Sequence, residues 1–220
     1  MKYIASVSWG KDSTAMLLIL IKYGYQLDEV IFFDTGMEFE EIYKTRDRFL
    51  EKYIIPLGIK YTELKPKRPF LETMLNYEHK TRKGEIKKGY GWCGGVCRWG
   101  TTEKIRAIDN YCKDSIQYIG IAYDEEERYL KLTPNKKAPL YELCIKEETA
   151  LKICYYNGFD YGGLYKYLKR VSCWCCRNKN LQELSNYKKY LPKYFEALKQ
   201  LEEQIGEPMK KPYYLKERKL

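Results

Sequence analysis

Short apolar runs alternate with amphipathic stretches along the chain, and the two spacings predict different elements. Residues 2 to 7 form a β-branched and apolar run that reads as a strand. After a turn, Met16, Leu17, Leu20 and Ile21 recur at helical spacing within a predicted helix from Ser13 to Tyr23. The pattern repeats: Glu29 to Phe33 is a second apolar run, and Phe39 to Tyr53 a second helix that turns Ile42, Phe49 and Leu50 inward. Tyr61 to Leu64 and Ile116 to Ala122 are predicted as further strands. Strands alternating with helices imply parallel pairing through right-handed crossovers, and such sheets place their ligand beyond the carboxyl ends of the strands.

Gly84, Gly89, Gly91, Gly94 and Gly95 interrupt this rhythm, so residues 79 to 95 are expected to form an irregular excursion. From Asn180 to Ile205 the chain returns to helix, with Leu181, Leu184, Leu191, Leu198 and Leu201 on one face. Pro192 is expected to bend or split that helix, and Asn180 with Glu183 forms a capping-box pattern at its start. The expected organisation is a nucleotide-binding α/β domain over 1–145 and a helical, cysteine-bearing extension over 146–220 packed on it or continuous with it.

A length of 220 residues with 45% apolar content supports one main core with an appendage. The longest apolar stretch, Ala15 to Ile21, is too short to span a membrane, and the first residues lack the pattern of a secretion signal, so a cytoplasmic, non-membrane protein is expected. The formal charge of +10 favours polyanionic partners. Basic residues concentrate at Lys80, Arg82, Lys83, Lys87 and Lys88, and again at Lys210, Lys211, Lys216, Arg218 and Lys219; each run is either a solvated loop or a contact surface. His79 is the only histidine, which argues against histidine-based acid–base chemistry. The tyrosines, 23 in number, would stack bases or close the edges of the core.

Ser8-Trp9-Gly10-Lys11-Asp12-Ser13 lies between a predicted strand and a predicted helix, where free backbone N–H groups and the helix dipole favour an anion. Gly10 allows close backbone approach, Lys11 adds charge, Ser8 and Ser13 add hydroxyl donors, and Asp12 would order a metal ion or the loop. The hexapeptide is not the Gly-x-x-x-x-Gly-Lys-Ser/Thr loop. It resembles the Ser-Gly-Gly-x-Asp-Ser loop of PP-loop ATP pyrophosphatases, in the form typical of relatives of phosphoadenosine phosphosulfate (PAPS) reductase. Trp9 stands where that motif has its first glycine, a departure expected to alter loop shape or nucleotide access.

Three further stretches resemble the family in order: Phe33-Asp34-Thr35-Gly36-Met37-Glu38-Phe39, Cys97-Arg98-Trp99-Gly100-Thr101-Thr102-Glu103-Lys104, and Gly120-Ile121-Ala122-Tyr123-Asp124-Glu125-Glu126-Glu127-Arg128, followed by Pro139-Leu140. The resemblance implies an α/β, adenine nucleotide alpha-hydrolase-like (Rossmann-like) fold. By the same resemblance Ser8, Gly10, Lys11, Asp12 and Ser13 would cradle the phosphates, Asp34, Thr35 and Gly120 would lie near base and ribose, and Arg98, Lys104 and Arg128 would face the anionic end of the substrate. Ala122 and Glu127 depart from an arginine and a serine of the family pattern.

Cys93 and Cys97 lie in the glycine-rich excursion, and Cys173, Cys175 and Cys176 shortly before the last helix. Cys93, Cys97, Cys173 and Cys176, with Cys175 as the alternative to Cys176, supply four thiolates for tetrahedral zinc or a four-iron cluster. The spacing leaves both metals open; the family resemblance implies [4Fe-4S]. Cys112, Cys144 and Cys154 are read as small core residues.

In sulfonucleotide reductases the family pattern puts a nucleophilic cysteine in a C-terminal Glu-Cys-Gly-x-His tail, whereas this chain reads Tyr213-Tyr214-Leu215-Lys216-Glu217-Arg218-Lys219-Leu220. The expected activity is therefore ATP- and Mg2+-dependent adenylation with pyrophosphate release, coupled to sulfur transfer onto an acceptor, and the expected macromolecular partner is a nucleic acid (tRNA or DNA) or a sulfur-donor protein. The alternatives are a reductase or sulfotransferase acting on PAPS or its 3′-unphosphorylated analogue APS, and a non-catalytic nucleotide- or nucleic-acid-binding subunit. Any of these readings is compatible with an oligomer.

Overall fold

The computed structural model describes residues 1–93 and 95–218; Gly94 of the excursion and Lys219 of the basic tail lie outside the described residues. In chain order the elements are β1 (Lys2–Val7), α1 (Lys11–Lys22), β2 (Glu29–Phe33), α2 (Glu40–Phe49), β3 (Lys60–Leu64), α3 (Phe70–Leu75), β4 (Glu78–Lys80), β5 (Ile86–Lys88), α4 (Lys104–Tyr111), β6 (Ser115–Ile119), α5 (Glu126–Tyr129), β7 (Lys136–Lys137), α6 (Pro139–Glu142), α7 (Glu147–Tyr156), α8 (Leu164–Tyr167), α9 (Leu181–Tyr190) and α10 (Pro192–Ile205). α2 continues through a wider π turn at Leu50–Ile54, which is why its apolar pattern reads as one longer helix. Pro192, unable to donate a backbone hydrogen bond, splits the predicted C-terminal helix into α9 and α10. Asn180 caps α9 through a complete capping box, with Glu183 N–H donating to its Oδ1 at 2.8 Å and its own N–H donating to Glu183 Oε2 at 3.0 Å.

The chain divides into two compact units, one of 1–34, 40–65 and 105–162, the other of 35–39, 66–104 and 163–220. This is not the linear division at residue 145: α7 packs within the first unit, and the glycine-rich excursion within the second.

The first unit is a five-stranded, all-parallel sheet in the order β3-β2-β1-β6-β7. All five residues of β2 are buried, as expected of a central strand covered on both faces. Ile31 and Phe33 join Ile4, Ile108 and Cys112 in one cluster, while Phe32 points the other way and meets Trp9. The strand order reverses direction around β1, so the crevice beyond its carboxyl end is a topological switch point. α1 starts there and packs against α6 and α7, burying nine of its twelve residues.

The second unit is mostly helical. Within it the excursion contains an unforeseen antiparallel ribbon, β4–β5, with Glu78 opposite Lys88 and Lys80 opposite Ile86. Leu184, Leu198 and Leu201 are buried there, whereas Leu181, in the first position of α9 beside its cap, is 51% exposed. Cys112 and Cys154 are buried as expected, but Cys144 is exposed. It closes the turn after α6 at φ 56°, and that backbone leaves its side chain in solvent instead of the core.

Candidate functional site

The phosphate-loop hexapeptide bridges β1 and α1 at the switch point. Gly10 occupies the cap position of α1 and offers its first-turn amides no side-chain acceptor, so an external anion can fill that role. Ser8 N–H donates to Ser13 Oγ at 3.2 Å, and Ser13 Oγ donates to Gly10 O at 3.2 Å, which folds the Ser13 hydroxyl into the bend. Gly120, after β6, presses on the same turn: a Cβ there would lie 2.8 Å from Ser13 Cα and N and 2.9 Å from Asp12 C. No side chain can absorb that overlap because all three are backbone atoms. Gly120 therefore sets how closely β6 approaches the head of α1.

Trp9 adopts φ 59°, in the left-handed region, which explains why this position suits glycine. Its ring is fully buried among Phe49, Tyr61 and Phe32, with centroid separations of 5.6, 6.2 and 6.5 Å. The expected effect on nucleotide access meets a different arrangement: the backbone keeps the glycine-like bend, and the indole leaves the loop for the core.

Lys11, 8% exposed, donates to Asp12 Oδ1 and Oδ2 at 2.9 and 2.8 Å and to Glu147 Oε2 at 2.6 Å. Burial works against its charge, but these two carboxylates outweigh burial and raise its pKa above the ordinary value. Burial raises the Asp12 carboxyl as well; the Lys11 ammonium opposes this, and the negative charges of Glu147 and Glu125 add to it. Glu147 reaches Lys11 because Asp124 Oδ1 accepts the Glu147 N–H at 3.0 Å and fixes the start of α7. Sequence reasoning missed Glu147, since nothing in its local pattern signals a partner so far away along the chain. Arg128 is exposed and bonded to Glu125. The Asp34 carboxylate accepts from Tyr43 Oη at 2.6 Å.

In the second unit Cys93, Cys97, Cys173, Cys175 and Cys176 line one cavity of about 420 Å³. Asn178 joins the two cysteine segments: its Oδ1 accepts from Gly95 N–H at 3.0 Å and its Nδ2 donates to Gly95 O at 2.9 Å. Backbone amides aim at two of the sulfurs, Arg98 N–H at Cys93 Sγ (3.3 Å) and Gly100 N–H at Cys97 Sγ (3.4 Å). A methyl group on Gly100 would sit 3.8 Å from Cys97 Sγ and 4.0 Å from Cys173 Sγ, so the glycine keeps the space between these thiols clear. Thr35 Oγ1 lies 3.6 Å from Cys173 Sγ, which attaches this predicted ribose contact to the thiols. Burial pushes the thiols of Cys97, Cys173 and Cys175 up. As placed, among the described residues no three Cys, His, Asp or Glu side chains converge to metal-binding distance.

Cations surround this cavity. Lys179, 2% exposed, contacts the ring faces of Phe39 and Tyr187 at 5.4 and 5.3 Å and donates to Ser172 Oγ at 3.4 Å. Burial lowers its pKa, and the negative potential of Cys176, Glu183, Cys173 and Cys175 pulls the other way. Arg170 and Arg177 also line the cavity, and the charge of Lys104 acts on Cys173. Thiolates, singly or as ligands of a soft metal centre, suit such a surplus of positive charge. Arg98 points elsewhere, stacking over Tyr90 at 3.9 Å. Lys179 was not singled out in the sequence because a lysine before a helix cap ordinarily faces solvent.

The chain is similar to two uncharacterized proteins of Methanocaldococcus jannaschii. It is 29% identical to MJ0066 over 203 residues, covering 88% of this chain and 40% of that protein. It is 28% identical to MJ0973 over 204 residues, covering 86% and 45%. The chain thus spans less than half the length of these relatives. Among solved structures it is similar to the U34-tRNA thiolase NcsA from Methanococcus maripaludis with its [4Fe-4S] cluster, at 16% identity and a TM-score of 0.48, over 94% of this chain and 72% of that one. No described helix is long and apolar enough to cross a membrane. The model of the phosphoadenosine phosphosulfate reductase domain matches residues 2–138, the region that carries the phosphate loop and its Gly120 abutment, and the chain belongs to that family.

Proposed function

We propose that the protein is an ATP-dependent PP-loop enzyme that adenylates an acceptor as a step toward sulfur transfer, with nucleic acid as the acceptor class. The observation that carries this reading is the head of α1 at the switch point, where the cap residue Gly10 has no side chain, with the Lys11 ammonium held beside it. Lys11 and the first-turn amides would bind the ATP phosphates. An acceptor oxygen then forms a bond to the α-phosphorus, the α–β anhydride bond breaks, and pyrophosphate leaves with the electron pair. Lys11 and the amides favour this step by stabilising charge that grows on the leaving group.

Two further groups fit the residues present. Asp12, Glu125 and Glu147 give a surplus of negative charge around Lys11, which suits the Mg2+ that accompanies ATP; Asp12 would hold it, where it offsets phosphate charge. Cys93, Cys97, Cys173 and Cys176 would hold a [4Fe-4S] cluster, with Cys175 as the alternative to Cys176 and zinc as the alternative metal. A bound cluster would supply iron able to hold or reduce sulfur. Lys179 and Lys104 would balance its charge.

Pyrophosphate release from labelled ATP, measured beside sulfite release from labelled PAPS and APS, tests the proposal. Release from ATP that rises with added RNA or DNA is the expected result. Turnover of PAPS or APS alone would instead make the protein a reductase or sulfotransferase, and binding of ATP without turnover of any substrate would make it a nucleotide-binding subunit. Anaerobic preparation with iron, sulfide and zinc analysis reports the metal independently.

A further inference from the structure

Half of the formal charge of the chain lies in one stretch of the second unit: residues 66–104 hold nine Lys and Arg against four Asp and Glu, a net +5 out of +10. Five of these cations, Lys80, Arg82, Lys83, Lys87 and Lys88, sit on the β4–β5 ribbon and its turn, and all five are exposed. Among the described residues none of the five forms an ion pair, although Glu78 and Glu85 lie on the same ribbon. Strand alternation sends Lys80 and Lys88 to one face and Lys87 to the other, while Arg82 and Lys83 occupy the turn. A small anion needs donors that converge on it. Charges spread over both faces and the tip of a ribbon match instead a polyanion whose charges recur along its length.

The ribbon is firmly mounted. Gly89 leaves β5 at φ +68°, and a Cβ there would come within 2.5 Å of Met74 O and 2.7 Å of Leu75 O, so the exit strand lies directly on the end of α3. Gly89 N–H donates to Tyr77 O at 2.9 Å and Gly91 N–H to Met74 O at 3.0 Å. At its base Tyr90 stacks on His79 at 3.9 Å and beneath the Arg98 guanidinium at 3.9 Å, and Arg68 lies 4.1 Å from the centre of the Tyr77 ring. The backbone N–H of Arg98 is the donor to Cys93 Sγ. A continuous stack of packed groups therefore joins the basic ribbon to the wall of the thiol cavity.

We infer that the β4–β5 ribbon is a nucleic-acid clamp, which grips the phosphates of a strand and holds it in fixed relation to the cysteine cavity of the second unit. The inference extends the nucleic-acid acceptor of the proposed function, but the binding step requires no ATP.

Fluorescence anisotropy of the full-length chain without nucleotide tests it, using single-stranded RNA and DNA of one sequence and the corresponding duplex over a salt series. The hairpin triple variant Arg82→Gln/Lys83→Gln/Lys87→Gln is compared with the control Lys2→Gln/Lys113→Gln/Lys131→Gln, which removes equal charge from exposed positions of the first unit. The hairpin variant is expected to bind single strands at least tenfold more weakly at about 0.1 M salt, with the slope of log K against log salt reduced by about 2. The control should change neither. Equal weakening by both triples, or an unchanged slope in the hairpin variant, overturns the inference. So does capture by anionic phospholipid vesicles without oligonucleotide binding, which would assign the ribbon to membranes. Circular dichroism of each variant confirms the fold. Because binding is read without ATP, failure here and failure of the adenylation proposal are separate results.

Discussion

Trp9 offers the sharpest test of how the phosphate loop is built, because its backbone behaves as a glycine and its side chain as a core residue. Replacing it by glycine removes a fully buried indole from among Phe49, Tyr61 and Phe32. Truncation of such a ring costs about 3–5 kcal/mol. The φ of 59° gives back about 1–2 kcal/mol, since glycine occupies the left-handed region without strain. The net expectation is a loss of about 1–4 kcal/mol, equivalent to a fall of about 0.5–2 M in the urea midpoint at a slope of roughly 2 kcal/mol/M. Trp9→Ala loses the ring and keeps the strain, so it should be less stable than Trp9→Gly by about 1 kcal/mol. Equilibrium urea unfolding of the three proteins, with ATP affinity by calorimetry, measures both quantities. ATP affinity should stay within about threefold for Trp9→Gly because the loop backbone is retained, a factor worth well under 1 kcal/mol. A glycine variant as stable as the parent, or an alanine variant more stable than the glycine one, would refute the argument. A tenfold gain in ATP affinity would show that the indole obstructs the site after all.

Other substitutions probe the remaining contacts. Gly120→Ala places a methyl group 2.8 Å from the Ser13 backbone and should weaken ATP binding at least tenfold, with about 1–3 kcal/mol lost in unfolding experiments; unchanged ATP affinity would remove Gly120 from the site. Glu147→Gln frees the Lys11 ammonium from one carboxylate, so ATP affinity should rise several-fold if Glu147 competes with phosphate and fall if it positions Lys11; no change in a titration would exclude both roles. Glu29, 3% exposed at the side chain, accepts from Thr62, Tyr111 and Lys60; burial opposes its charge, yet these partners hold its carboxyl below the ordinary carboxylate range. The unfolded chain thus binds this proton more readily, so the stabilisation is complete above about pH 4.3 and is lost as pH falls through the lower folded value. Unfolding free energies between about pH 2 and 6 should show a shallower acid slope for Glu29→Gln than for the parent.

The parts of the fold legible in the sequence are those that local chemistry determines. After Glu29, β2 is a continuous apolar run because both its faces are covered, and Asn180 with Glu183 announces α9 because the capping contacts span only three residues. Pro192 announces the break that follows for a similar reason. β7 is two residues long and both are lysines, so no periodicity marks it. The β4–β5 ribbon was hidden because its strands are three residues each and its surface is charged on both faces. At the candidate site, the bend between β1 and α1 was readable from its residues, but the second carboxylate on Lys11 was not: Glu147 meets Lys11 only through the packing of α7 on α1. Likewise the environment of Lys179 depends on Phe39, Ser172 and Tyr187, which converge only in the folded unit.

The pairing of Asn178 with Gly95 has a mechanical corollary. The cysteine segments it fastens lie about 75 residues apart, so any occupant gripping sulfurs from both would cross-link a long loop and withdraw about 4 kcal/mol of freedom from the unfolded chain. Occupancy and local rigidity then become one variable. Amide exchange around Gly95 would slow on loading, and Asn178→Ala, which removes the protein's own fastening, should make the second unit depend on its occupant for order.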